Sequence, residues 1–506
     1  MKSLVSLAAL AIGETPSLHE RVALLSPALK LVLLEQLCKH DMLEATVMPS
    51  VGREMSRLVL ANTALKDGVV EALAAAPGLA VRELDLSQTS CARPHSYRRL
   101  ARTLVESLSH LDVSQQGGEG LLGCFASRCV LLRCVRADDS AICNRDVQQL
   151  LQRCPLMQEL SLRRCAQLTD RAFTRGLPAR CYLLRLDLRE VRKLTDATLE
   201  RIADCCPVLM ALSLEGQRFD GAGLTRVLNQ CRELESLAIP LCTIQEAELV
   251  FIRNTQVRVK QLDLFGNTFA EATLLFLFGN VFRNLRKLNI SGVRNLTRQV
   301  FRYVCLRSPH LEHLSVKGHI ARLNDDFLED VQSHLKALHS LDLSLCRAIS
   351  AEGLLRTVTA LPTAFRCVNL ISLPHSVTDE VVRAIVERSG ARLAKLSLGG
   401  NPLVTNASMA AIAAHCSNLE SLCVKGCSVS DPSLLCSLVA ANPRLRMLSL
   451  SGVAGCKDEV VRAVAKSCPD IQELYLSGVA VTNEAVAAFK HVYPKCYIYG
   501  KRKKHE

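Results

Sequence analysis

The sequence predicts an α/β solenoid, with one short parallel strand and one helix in every turn, and three observations carry that prediction. Pairs of apolar residues at alternate positions recur along most of the chain, the recurrence keeps a period close to 26 residues, and a helix start followed by a Cys-Pro type stop lies between one pair and the next. The stretch Cys154 to Cys206 shows the unit most fully. Leu160 and Leu162 alternate as a short buried strand requires, because successive side chains point to opposite faces. Leu168-Thr169-Asp170 follows a turn, and either polar residue can accept a hydrogen bond from the first free amides of a helix. Such a unit cannot bury its apolar face alone, so it implies neighbours of the same kind.

The neighbours can be counted. The first apolar residue of each strand pair falls at Leu58, Leu84, Leu111, Val135, Leu160, Leu186, Leu212, Leu237, Leu262, Leu288, Leu314, Leu341, Val368, Leu396, Leu422, Leu448 and Leu474, with intervals of 24 to 28 residues. Residues 496 to 499 form a degenerate eighteenth strand. The expected domains are therefore a helical cap over residues 1–54, a solenoid of about 17 repeats over 55–500, and a basic tail at 501–506. In the cap, Ser3 to Ile12 predicts one helix, Pro27 to Cys38 a second with Leu29, Leu33, Leu34 and Leu37 on one face, and Asp41 to Val51 a short third element.

Composition agrees. The 506 residues are 49% apolar but only 4% aromatic, with no tryptophan, so burial rests on leucine, valine and alanine. The net charge of +13 is spread along the chain without interleaved aromatic residues for base stacking, which disfavours nucleic acid as a partner; a membrane surface is disfavoured likewise. At least nine of the twenty-three cysteines recur at fixed places in the repeat, before the strand (Cys154, Cys206, Cys231, Cys416, Cys468) or after it (Cys165, Cys242, Cys346, Cys427). Residues repeating once per turn stack on their own kind as small buried side chains, and the pairs Cys423 and Cys427 or Cys205 and Cys206 lack the partner motif a metal site needs. Free thiols imply a reducing compartment, cytoplasmic or nuclear. Residues 1–13 have the one basic residue and apolar run of a secretory signal, against which the free cysteines argue. No apolar run reaches transmembrane length.

The period of one strand and one helix is that of leucine-rich repeats. The pattern Cys-Pro-x-Leu-x-x-Leu-x-Leu-x-x-Cys-x-x-Leu-Thr-Asp, matched by Cys154 to Asp170 and more loosely from Cys468, resembles the cysteine-containing repeats of F-box leucine-rich proteins. Gln217, Leu373 and Val453 replace the cysteine and Arg298 the aspartate, departures expected to weaken single turns. The resemblance implies a leucine-rich-repeat horseshoe: helices need about 10 Å of lateral room against about 4.8 Å for strands, so a parallel concave sheet lies inside convex helices, along an inner arc of roughly 80 Å.

No catalytic arrangement emerges: there is no Gly-rich phosphate loop, no H-E-x-x-H and no G-x-S-x-G, and His313 and His339 sit beside strands. No enzyme activity, cofactor or small-molecule substrate is expected. What remains is a surface. Arg163, Arg185, Asp187 and Arg189, with Arg164 and Arg192 nearby, are predicted to face the concavity, where they either bind an acidic or phosphorylated segment or form a solvated mixed-charge face. Phe265 is a predicted apolar anchor there, and Lys317 a further contact.

At the other end, Ser3-Leu4, Ala8 and Ile12 fit the spacing of an elongin C-binding box, three side chains on one helical stripe, and Leu34, Cys38 and Met42 fit it again. This layout resembles both ZYG-type, elongin-binding receptors of cullin ubiquitin ligases and leucine-rich excision-repair and mitotic-exit-antagonist proteins. It implies an elongin C- or Skp-like adaptor at Leu4, Ala8, Ile12, Leu34 and Cys38, and a protein substrate in the concavity. The alternative is a scaffold subunit of a stable cytoskeletal or ribonucleoprotein assembly, in which residues 1–54 are only a cap.

Overall fold

The computed structural model describes residues 55–500, apart from 77, 90–92, 117–119, 254–256 and 321–322, together with residues 22, 25–39, 45 and 48. The chain divides into two compact units, Met1–Arg258 and Val259–Glu506.

In the first unit the strands Arg57–Val59, Glu83–Asp85, His110–Asp112, Cys134–Arg136, Glu159–Ser161, Arg185–Arg189, Ala211–Glu215 and Ser236–Ala238 pair successively and in parallel. Their register sets the counted residues opposite one another, Leu160 against Leu186 and Leu186 against Leu212. The second unit repeats the construction with ten strands among its described residues, from Gln261–Asp263 to Tyr497–Tyr499, in register from Leu262 against Leu288 to Leu474 against Ile498. Between consecutive strands the chain crosses over through a short helix, so each unit is a leucine-rich-repeat solenoid. The core of each is the column of counted apolar residues, their partners two positions on, and the inner faces of the helices.

Three devices repeat along the column. The first is a left-handed residue four positions after each counted one, seen at Asp139, Arg164, Glu190, Gly216 and Leu241, and again from Gly266 through Leu345 to Gly478. Later repeats fill it with glycine, which adopts positive φ without steric cost, whereas several earlier ones hold an ordinary L-residue there.

The second device explains Thr-Asp. The threonine caps its own helix, as Thr405 does by accepting from the Ala407 amide at 3.2 Å, while the aspartate reaches the next repeat's cap. Asp379 accepts from the Thr405 amide at 2.9 Å and hydroxyl at 2.6 Å, and Asp170 and Asp458 do the same for Thr195 and Thr482. Where Arg298 replaces the aspartate, it pairs instead with Asp326 at 2.9 Å on the next helix.

The third is the cysteine column. Cys165, Cys346 and Cys427 donate to Ala137, Val316 and Leu398 carbonyls of the preceding turn at 3.1 to 3.2 Å. Burial pushes the Cys346 thiol up to about 12 and Cys165 and Cys427 up to about 11, so they stay protonated and act as donors. Gln217 does not weaken its turn: its Nε2 donates to the Leu188 carbonyl at 2.6 Å, the same bond made by a longer side chain. The Leu373 turn is served by the next repeat, whose Asn401 accepts from the Leu373 amide at 2.8 Å.

Before the first strand, the helix Pro27–Lys39 packs against Arg57–Val59. Leu33, Leu34 and Leu37 are buried as expected, but Leu29 is 50% exposed and Lys30 takes the buried place in that turn. The expected elements at Ser3 to Ile12 and Asp41 to Val51 lie outside the described residues, apart from Ala45 and Met48, as does the basic tail.

Candidate partner-binding face

Side chains flanking a counted residue point away from the core, and in the first unit this open strand face carries Arg185, Asp187 and Arg189 on one strand and Arg163 just after its neighbour. Around them lies a shallow depression of about 380 Å³ lined by Arg136, Asp138, Glu159, Ser161, Ala211 and Ser213. The arginines do come together, but each already has a carboxylate. The Arg189 Nε donates to Asp187 at 2.9 and 3.0 Å, Arg185 pairs with Glu159, and Arg163 lies 3.6 Å from Glu190. Arg164 pairs with Asp139, its Nε donating at 2.6 Å, and its guanidinium reaches Glu190 at 3.9 Å. Asp139, Arg164 and Glu190 are three successive left-handed residues, so the turn geometry itself lines up this charge ladder. Of the arginines named, Arg192 makes no ion pair. This face is a mixed-charge surface on which Arg163, Arg164, Arg185 and Arg189 are matched internally, while Arg136 and Arg192 are not.

The recurrent aspartate of the strands is also a turn device. Asp187 accepts from the Arg189 amide, Asp263 from Phe265 and Asp342 from Ser344, at 2.9 to 3.1 Å. In the second unit Phe265 is 39% exposed and Lys317 is exposed, at equivalent positions two repeats apart with the buried Ser291 between them.

A different surface stands out on the edge of the first unit where helices hand over to strands. Leu132, Met157, Leu183 and Leu209 are buried there, and the residue before each points outward: Leu131 and Leu156 at 38% exposure, Tyr182 at 57%, and the half-buried Val208. Val130 and Met210 widen the row. Beside it run Arg128, Arg153 and Arg180, with Arg133, all exposed and none in an ion pair. Segments 127–133, 152–158 and 178–184 contain no acidic residue. The row escapes a residue-by-residue reading and becomes visible only when the repeats are written in register, as one column that stays apolar where the fold does not bury it.

No family model matches the chain. Among solved structures it is similar to the yeast Rad7 and Elc1 complex, at 13% identity and a TM-score of 0.40 over 99% of this chain and 93% of that one. It is similar also to a leucine-rich-repeat protein of Leptospira interrogans, at 16% and 0.36 over 90% and 92%, and to the TLR13–ssRNA13 complex, at 15% and 0.43 over 84% and 67%. The fold assignment rests on the strand register described above.

The residues expected to meet an adaptor divide. Leu4, Ala8 and Ile12 lie outside the described residues. Leu34 has no exposed surface and Cys38 is buried, so in this structure both side chains face the solenoid. The exposed apolar residues of that helix are Leu29 and Val32.

One cluster has the composition of a catalytic triad. Ser96 Oγ lies 3.3 Å from His95 Nε2, which lies 3.1 Å from Glu71. The same ring nitrogen makes both contacts, so the imidazole cannot relay a proton between them, and Ser96 is fully buried with its hydroxyl 3.0 Å from Asp67. This is inter-repeat capping, with Asp67 also accepting from the Arg93 amide at 2.7 Å.

Proposed function

We propose that this chain is a non-catalytic protein-binding subunit, and specifically the substrate-recognition subunit of a cullin-type ubiquitin ligase. The observation that carries protein binding is the handover edge of the first unit, an apolar row from Leu131 to Val208 flanked by unpaired Arg128, Arg153 and Arg180. Its chemistry fits an acidic segment with apolar residues along one side, since a linear apolar row with cations on one flank matches a single chain. The internally paired arginines of the strand face offer less, because a ligand there must first displace Asp187, Glu159 or Glu190.

The narrower reading is supported by the cysteine-containing repeat pattern and by the spacing of Leu4, Ala8 and Ile12 ahead of the repeats. Such a subunit contributes proximity, holding a target beside a ubiquitin-loaded enzyme. It works in a reducing compartment, consistent with buried, protonated thiols. The burial of Leu34 and Cys38 favours a second reading, a scaffold in a stable assembly whose N-terminal residues only cap the solenoid. Affinity purification with mass spectrometry separates the two: recovery of an elongin C- or Skp-like protein, lost on Leu4→Asp, supports the receptor, and a stoichiometric assembly without such an adaptor supports the scaffold.

A further inference from the structure

In the second unit, parallel pairing of His313 with Ser340 brings Glu312 and His313 of one repeat beside His339 of the next. One ligand atom from each of the three lies within 4.8 Å of the other two, and the imidazoles meet edge-on with centroids 4.6 Å apart. His339 Nε2 stands 3.9 Å from Glu312 Oε2, too far for a hydrogen bond. Its Nδ1 is buried without a partner, so this half-buried ring makes no hydrogen bond at all.

A gap of that size has another use. Two ligands of a tetrahedral zinc ion, at bonds of 2.0 to 2.1 Å, stand about 3.3 Å apart. The three donors, already within 4.8 Å of one another, need to close by about 1.5 Å or less to reach that spacing. Glu312 is already oriented for it, because Arg286 Nη1 holds Oε1 at 2.8 Å and leaves Oε2 facing the histidines, the outer contact that ligating carboxylates have.

We propose that Glu312, His313 and His339 form a zinc-binding site with a fourth position open to solvent. Two imidazoles and a carboxylate select a borderline divalent ion over calcium or magnesium, which take oxygen ligands. Lys287 and Arg366 beside the histidines oppose the incoming charge, which makes the ion exchangeable and not a requirement for folding. The site is independent of the handover edge of the first unit.

The test is calorimetric titration of the full chain with zinc chloride at neutral pH under reducing conditions, repeated for Glu312→Gln and for the His313→Ala, His339→Ala double variant. One zinc per chain is expected, weakened at least ~10-fold by Glu312→Gln and lost in the double variant, whose thermal unfolding without zinc matches the wild type. Cobalt(II) serves as the spectroscopic probe, because thiolate ligation adds a charge-transfer band. A tetrahedral spectrum without that band supports the site. A thiolate band, absence of zinc uptake, or unchanged uptake by the double variant overturns it.

Discussion

Asp379 of one repeat accepts both the backbone amide and the hydroxyl of Thr405, the residue that caps the helix of the next repeat. A dipeptide that recurs along the chain thus joins two successive turns: threonine caps the free amides of its own helix, and aspartate holds the neighbour's threonine by its amide and hydroxyl.

Removing that bond has a predictable cost and pH dependence. Burial pushes the Asp379 carboxyl up, but hydrogen bonds from Ser408 and Thr405 outweigh it and hold the group below its ordinary value of 3.8. A depressed carboxyl contributes stability above its unfolded pKa and loses it as pH falls through the folded one. Asp379→Ala is expected to destabilise by about 1–2 kcal/mol in urea denaturation at neutral pH, and the gap from wild type should close only below about pH 4.

Gly353 lies in the helix Ala351–Ala360, where alanine ordinarily stabilises by up to ~1 kcal/mol. Here an added Cβ would stand 2.8 Å from Asp325 Oδ2 and closer still to the rest of the carboxyl, which accepts from the Ser350 amide at 2.8 Å. Gly353→Ala should therefore destabilise by about 1 kcal/mol or more, and become neutral or stabilising in an Asp325→Ala background. Thermal melts of the four proteins in that cycle supply the comparison.

Leu241 adopts φ of 54° in the left-handed position and is exposed. Leu241→Gly relieves that conformation without emptying the core and should raise stability by about 0.5–1 kcal/mol, despite the greater freedom of glycine in the unfolded chain. A loss of stability would show that the exposed leucine packs against something the turn requires.

The fold was legible because its signal repeats. Every counted residue from Leu58 to Leu474 is the second residue of its strand and sets the register, since alternation and period are backbone properties that each turn restates. Individual side chains were harder to place. Arg163, Arg185 and Arg189 lie on adjacent repeats, but Glu159 and Glu190, which pair with two of them, come from the neighbouring repeat in each case, and the sequence does not display those side-chain directions. Leu34 and Leu29 share a predicted stripe, yet one is buried and the other open, because the face packed on the solenoid takes Lys30, Leu33, Leu34 and Leu37 and leaves Leu29 outside. The handover edge and the Glu312–His313–His339 group combine residues 25 or so apart whose proximity exists only once the repeats are stacked.

The most direct measurement of the central claim is quantitative affinity purification of three chains: wild type, Leu4→Asp, and the triple variant Arg128→Glu, Arg153→Glu, Arg180→Glu. The account predicts separate losses, with the adaptor missing only from Leu4→Asp and the acidic target only from the triple variant. Retention of every wild-type partner by both variants would contradict it.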